Sequence, residues 1–465
     1  MNPHKLVNAA KQGLRAIPCT IVFSAMMGMA IPALADEETP PPPPSVSGVT
    51  MTQANDRKVT IEYTLADGPA VITLDVQTNA TPNAAADDPG WTSIGGEAVW
   101  NAAGDVWKKV EGDTTHTITW RPDQSWPGHK ITGNGARAVV TAWATNNTPQ
   151  YMVVDLDVAN SCRFYPGKDY LPKSSFAQEG AAITNNANFK TRQLLMRKIE
   201  AAGITWPMGA DASVEALRIA TREAAHNVQL ADNYYIGVFE VTQSQWTMVT
   251  NTQAITTTTT GTGKGYKFTI LGSVLPAHFV QWQQIRAAHP TNAPASGTFL
   301  SAIRARTGIA FDLPAESQWE FAARAGHYSG YWGDGSPMLA PNNTNDSARD
   351  SNLDRIAWYK QNSGSTLHEV GLKAPNGFDL YDTSGNVEEW CLDQGPEDAD
   401  ISSYGGAVYA PAAYRLTTGY TYVKKGGGYS FKVQMCRPGS GQFKQIANGG
   451  ETALGFRLAC PVGIR

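Results

Sequence analysis

Residues 59–66 set the first constraint. In "VTIEYTLA" the apolar Val59, Ile61, Tyr63 and Leu65 occupy every second position and polar residues fill the gaps. A period of two matches a strand with one face buried and cannot serve an amphipathic helix, whose period is 3.6. "AVITLDVQTN", "THTITWRPD", "ARAVVTAWA" and "YMVVDLDVA" repeat the theme, separated by Gly, Pro, Asn and Asp. Short strands with turn residues between them across 49–158 predict a small all-β sandwich. Nothing in it gathers His, Cys and carboxylates at ligand spacing, so it reads as an accessory domain.

The N-terminus carries a separate signal. Lys5, Lys11 and Arg15 precede an apolar run from Ala16 to Ala33, and Ala33-Leu34-Ala35 supplies a small-residue cleavage site. This is the pattern of a signal peptide cleaved after Ala35, and Pro18 and Pro32 interrupt it too soon for a membrane span. The chain is expected to be secreted or periplasmic, with no transmembrane span. Residues 36–48 contain Pro40 to Pro44 and predict an extended linker. The full chain carries a net charge of −4, and removing the leader makes it more negative by three charges. Such a chain has no electrostatic footprint for nucleic acid.

Past a connector at 159–195 the pattern changes. "HFVQWQQIRAAH", "GTFLSAIRARTG" and "PAESQWEFAARAG" predict helices, the last with Pro314 before it and Gly326 after it. Long Gly-, Asn- and Thr-rich stretches lie between them. One, "ITTTTTGTGKG" at 255–265, lacks the glycine and the Ser/Thr that a phosphate loop requires.

Four segments then occur in order: "YYIGVFEVTQSQW" (234–246), "FDLPAESQWEFAARAG" (311–326), "PNGFDLYDTSGNVEEWCLD" (375–393) and "VKKGGGYSF…LGFRLA" (423–459). Together they resemble the formylglycine-generating enzyme, or sulfatase-modifying factor, family over 196–465. The resemblance implies an α+β fold of the irregular C-type-lectin-like kind, following the all-β sandwich. It also implies a structural calcium ion held by Asp382, Gly385, Val387 and Glu389, the carboxylate and carbonyl oxygens that calcium prefers. A turn whose carboxylates cap backbone N–H groups is the alternative. Glu388 stands where the family has Trp.

In this family two C-terminal cysteines bind copper(I) and oxidise a substrate cysteine. Aligned without gaps, the second cysteine falls on Cys436, the one catalytic candidate, and the first on Phe431. Gly428, Gln442 and Ala453 replace a serine, an arginine and an asparagine of the family site. Phe431 cannot ligate a metal and one thiolate makes a poor copper site, so copper is not expected. Cys162, Cys391, Cys436 and Cys460 remain after cleavage, and an even count in an oxidising compartment predicts disulfides. Cys391–Cys436 and Cys162–Cys460 are the favoured pairs, the second following the family.

The reading is an exported protein whose formylglycine-generating-type domain is non-catalytic and used for binding or scaffolding, with an exported peptide, glycan or protein as ligand. The alternatives are a divergent oxidoreductase converting a cysteine in a sulfatase-like substrate, and an accessory protein to an exported enzyme.

Overall fold

The alternating segments form strands at the expected places. β1 (Ser45–Gln53), β2 (Val59–Ala66) and β4 (Thr115–Trp120) make one antiparallel sheet, in the order β1-β2-β4. β3 (Ala70–Thr78) and β5 (Ala136–Ala144) form the centre of a second. The computed structural model describes residues 42–463 apart from 113, 131–133, 176–181, 211–222, 224, 252–271, 289–291, 328–346, 396–420 and 446–452. The leader, the proline-rich segment up to residue 41 and the loop 255–265 therefore lie outside the described residues. So does the side chain of Gln442, whose backbone is described.

Val59, Ile61, Tyr63 and Leu65 of β2 point inward, as their period demands, against Ile72, Leu74 and Val76 of β3. β3 departs from simple alternation, because Val71 and Thr73 on its other face are buried too. Val71 packs in a second apolar cluster, with Met152, Leu194 and Tyr235. Trp143 Nε1 donates to Thr73 Oγ1 at 2.9 Å, which satisfies the hydroxyl. The strand is thus shared between two cores, and residues 43–465 form one compact unit.

The same coupling shows in β6 (Tyr151–Asp155). It pairs with β7 (Cys162–Tyr165) on one side and with β8 (Gln193–Ile199) on the other. β9 (Tyr234–Gly237) and, at the C-terminal end, β14 (Ala459–Pro461) complete a five-stranded sheet in the order β7-β6-β8-β9-β14. β10 (Glu388–Gly395), β11 (Thr421–Lys425), β12 (Gly441–Gln445) and β13 (Leu454–Gly455) make a four-stranded sheet, ordered β12-β11-β10-β13.

Four helices matter to the site: α1 (Gln243–Thr250), α2 (Trp282–Ile285), α3 (Phe299–Thr307) and α4 (Glu316–Arg324). Thr242 caps α1 through a capping box with Gln245. α2 is a single turn where the sequence predicted three. Phe279 and Ala287 on its two sides take left-handed backbone angles, φ 57° and 59°, which no helix accommodates. Among the described residues no helix is long and apolar enough to cross a membrane.

Because β6 supplies a neighbour to β8, a fragment covering 159–465 would leave β8 with a bare edge. We expect that fragment to lose the cooperative thermal transition that a 43–465 chain shows by circular dichroism. An unchanged transition would mean that the two parts fold independently.

Candidate functional site

β11 carries the chain out of its sheet into the glycine-rich stretch 426–437. Tyr429 N donates to Asn386 O at 2.8 Å and Phe431 N to Gly428 O at 2.9 Å, which curls the segment into a turn. A short 3-10 turn, Val433–Cys436, follows. Cys436 is fully buried with Leu353, Ile356, Ala357, Tyr359 and Val433, and the Phe431 ring packs on that same cluster. The position of the first family cysteine is therefore filled by a ring that seals the second within apolar side chains.

The two polar positions beside it are closed in a matched way. A Cβ on Gly428 would lie 2.9 Å from the Ala453 Cβ and 3.1 Å from the Ala453 carbonyl. No serine fits there without moving Ala453. The backbone of residue 453 is itself held, since its carbonyl accepts from Glu388 N at 2.6 Å.

The expected disulfides, Cys391–Cys436 and Cys162–Cys460, are not formed: no disulfide joins any of the four cysteines. Cys391, on β10, is buried among Trp319, Ala323 and Val423, in a different cluster from Cys436. Cys162 and Cys460 lie on β7 and β14, the two end strands of the five-stranded sheet, and pack in one apolar cluster without being joined. Burial pushes the Cys162 thiol up to about 11, and holds those of Cys391 and Cys460 far above the usual range. These three groups stay protonated at neutral pH, and a thiol is neither a strong nucleophile nor a copper ligand.

The loop expected to hold calcium is occupied by an ion-pair network. Arg457 donates to Glu389 from Nη2 at 2.5 Å and from Nε at 2.6 Å, and Trp319 Nε1 donates to Glu389 Oε2 at 2.7 Å. Arg457 also reaches the carbonyls of Gly237 and Tyr381, each at 2.9 Å. All four sequence segments that carry the resemblance thus meet at one buried pair. Asp382 is buried as well. Its Oδ2 accepts from Gly371 N at 2.7 Å, while Oδ1 has no partner. Burial pushes its carboxyl up to about 6, against the pull of the Gly371 N–H, Arg457 and Lys190.

Glu240, singled out by no sequence argument, lies alongside. It accepts from Asn386 Nδ2 at 2.7 Å and from Val387 N at 3.1 Å. Burial, then Asp382 and Glu389, raise its carboxyl well above the ordinary range. Of the loop's two carboxylates, Asp382 keeps Oδ1 without a partner, while Glu389 is committed to Arg457 and Trp319. Gly385 (φ 81°) contributes a close approach, since a Cβ there would sit 2.3 Å from the Trp358 carbonyl.

Charge on the neighbouring strands is compensated in the same way. Glu388, the residue in the family's Trp position, pairs with Lys424 Nζ at 2.9 Å, both buried. Lys425 pairs with Glu320 at 2.9 Å and Glu316 at 3.3 Å, and Arg324 reaches Glu320 at 2.8 Å. Burial works against the Glu320 carboxylate, yet Lys425 and Arg324 hold its pKa below the ordinary value. "VKKGGG" marked this strand in the sequence, but the acidic partners come from a helix and another strand.

Residues 190–462 match the model of the sulfatase-modifying factor enzyme 1-like domain. The match covers more than half of the chain, and the chain belongs to this family. It is 25% identical over 227 residues to the chaperone protein LppX of Paenibacillus barcinonensis, covering 39% of this chain and 70% of that protein. It is 31% identical over 160 residues to the formylglycine-generating enzyme of Mycobacterium tuberculosis, covering 32% of this chain and 51% of the enzyme. The match to that enzyme thus spans about half of its length. Among solved structures, Treponema denticola variable protein 1 is similar at 26% identity, covering 58% of this chain and 95% of that one, with a TM-score of 0.42. PvdO from Pseudomonas aeruginosa is similar at 20% identity, covering 58% of this chain and 94% of that one, with a TM-score of 0.45.

Three stability outcomes follow from this geometry. Glu389→Gln leaves a buried guanidinium short of its counter-charge and should cost about 3–5 kcal/mol. The paired change Glu389→Leu with Arg457→Met should cost less than either half alone, in a double-mutant cycle read by urea denaturation. Gly428→Ser, the return to the family residue, should destabilise by about 1–3 kcal/mol through overpacking against Ala453.

Proposed function

We propose that this chain is an exported, non-catalytic member of its family, in which the formylglycine-generating-type domain serves as a binding or scaffolding module. One observation carries the reading. The Phe431 ring occupies the place of a metal-binding cysteine and packs with Cys436 in a single apolar cluster. A sulfur buried in an apolar cluster, with no second sulfur at the paired position, does not make a copper(I) site open to oxygen and a peptide cysteine. Gly428 against Ala453 removes the adjoining polar groups by direct contact.

In this proposal the domain keeps a C-type-lectin-like scaffold, the preceding strands act as an accessory sandwich, and the leader directs export. The ligand is an exported peptide, glycan or protein. The named chaperone among the relatives supports a particular form of the reading, assistance to another exported protein. The oxidoreductase alternative has less support, since it needs a second sulfur where Phe431 stands.

The test is incubation of the full-length protein with a peptide bearing the sulfatase cysteine motif, under oxygen and with copper(I). No aldehyde should be trapped by a hydrazide reagent, and Cys436→Ser should change nothing. Aldehyde formation that Cys436→Ser abolishes would overturn the proposal.

A further inference from the structure

Away from the glycine-rich turn, a cleft of about 690 Å³ opens where α3, α4, β9, β10 and β14 meet. That volume lies within the range of sites for small ligands. None of its lining residues belongs to the Cys436 cluster. Its walls are of two kinds. Ala310, Leu313, Ala315, Leu392 and Val462 supply an apolar surface. Arg304, Asn146, Asn233, Gln318 and Asp232 supply polar groups.

Arg304 defines the chemistry. Its Nη2 donates to Asp312 Oδ2 at 2.9 Å and its Nε is bonded to the Phe311 carbonyl at 2.6 Å. Asp312 is already held by Arg286, whose Nε and Nη2 lie at 2.9 and 3.0 Å from its two oxygens. Two guanidiniums therefore share the one Asp312 carboxylate, so Arg304 is not saturated by it. Arg286 is only 2% exposed, whereas Arg304 is 28% exposed and keeps Nη1 unused. A half-exposed guanidinium with a spare N–H is suited to a carboxylate from outside.

The amides are in a comparable state. Asn233 uses its oxygen to accept from Ala202 N, and Gln318 uses its oxygen to accept from Ala315 N. Both keep their N–H₂ groups for a further acceptor. The exposed Asp232 stands at the open side as an acceptor for N–H groups.

From these groups we infer that the cleft binds the C-terminal end of a peptide, with its free carboxylate on Arg304 and an apolar last side chain against Leu313 and Leu392. Asn233 and Gln318 donate to peptide carbonyls and Asp232 accepts from a peptide N–H. An inorganic anion would satisfy Arg304 alone and leave the apolar wall bare. The inference rests on the binding-module reading for its purpose, but not for its chemistry.

The experiment is fluorescence anisotropy of the full-length protein with a fluorescein-labelled Ala-Ala-Leu peptide, as the free acid and as the C-terminal amide. The acid should bind saturably and the amide about tenfold or more weaker. Ala310→Trp, at an exposed position on the rim, should abolish binding while leaving the thermal transition unchanged; Arg304→Gln should lower the affinity for the acid to that for the amide. Inorganic phosphate at the concentration of the peptide should not displace it. Equal binding of acid and amide, displacement by phosphate, or full binding by Ala310→Trp would each overturn the inference. Aldehyde formation in the sulfatase-motif assay would remove the proposed function and leave this result standing.

Discussion

The buried Glu389–Arg457 pair is the point on which the C-terminal part of the molecule depends. A charge taken out of water is costly unless a partner and hydrogen bonds replace the solvent. Here the guanidinium spans Glu389 and the carbonyls of Gly237 and Tyr381, and Trp319 completes the carboxylate. β9, α4, β10 and the segment before β14 are therefore held to one another by a single directional contact. Apolar packing around it, with Trp390, Phe456 and Leu458 in one cluster, is non-directional and would not by itself set the register. The ion pairs of Glu388 with Lys424 and of Lys425 with Glu320 extend the same arrangement along β10 and β11.

Beside this framework, the glycine-rich turn is packed with apolar side chains. Phe431 and Cys436 behave as ordinary core residues, and Gly428 and Ala453 pack as a matched pair. Those substitutions are mutually consistent: each removes a polar group whose neighbour has also gone. The chain presents a cleft elsewhere, on surfaces contributed by α3, α4 and β14.

Much of the local structure was legible in the residues. Period-two runs became β2 to β6 because alternation of apolar and polar side chains is a backbone-level property. α4 likewise carried its own start and stop signals in Pro314 and Gly326. α2 failed because left-handed φ at Phe279 and Ala287 is imposed from outside the segment. The register that sets Phe431 and Cys436 close together in one turn was legible too. Pairing of the cysteines was not. An even number of thiols says nothing about where they sit: Cys391 and Cys436 fall in different clusters, while Cys162 and Cys460 share one and are still not joined.

By itself the sequence determined the strands, two of the three helices it marked and the family, all of which rest on residue identity or on short-range periodicity. Tertiary structure alone decided where the charges went. Glu389 looked like a calcium ligand from its loop, but its partner Arg457 lies 68 residues away and reaches it only after β10 and the last strands have packed. Long-range electrostatic pairing depends on which elements meet, and no local pattern encodes that meeting.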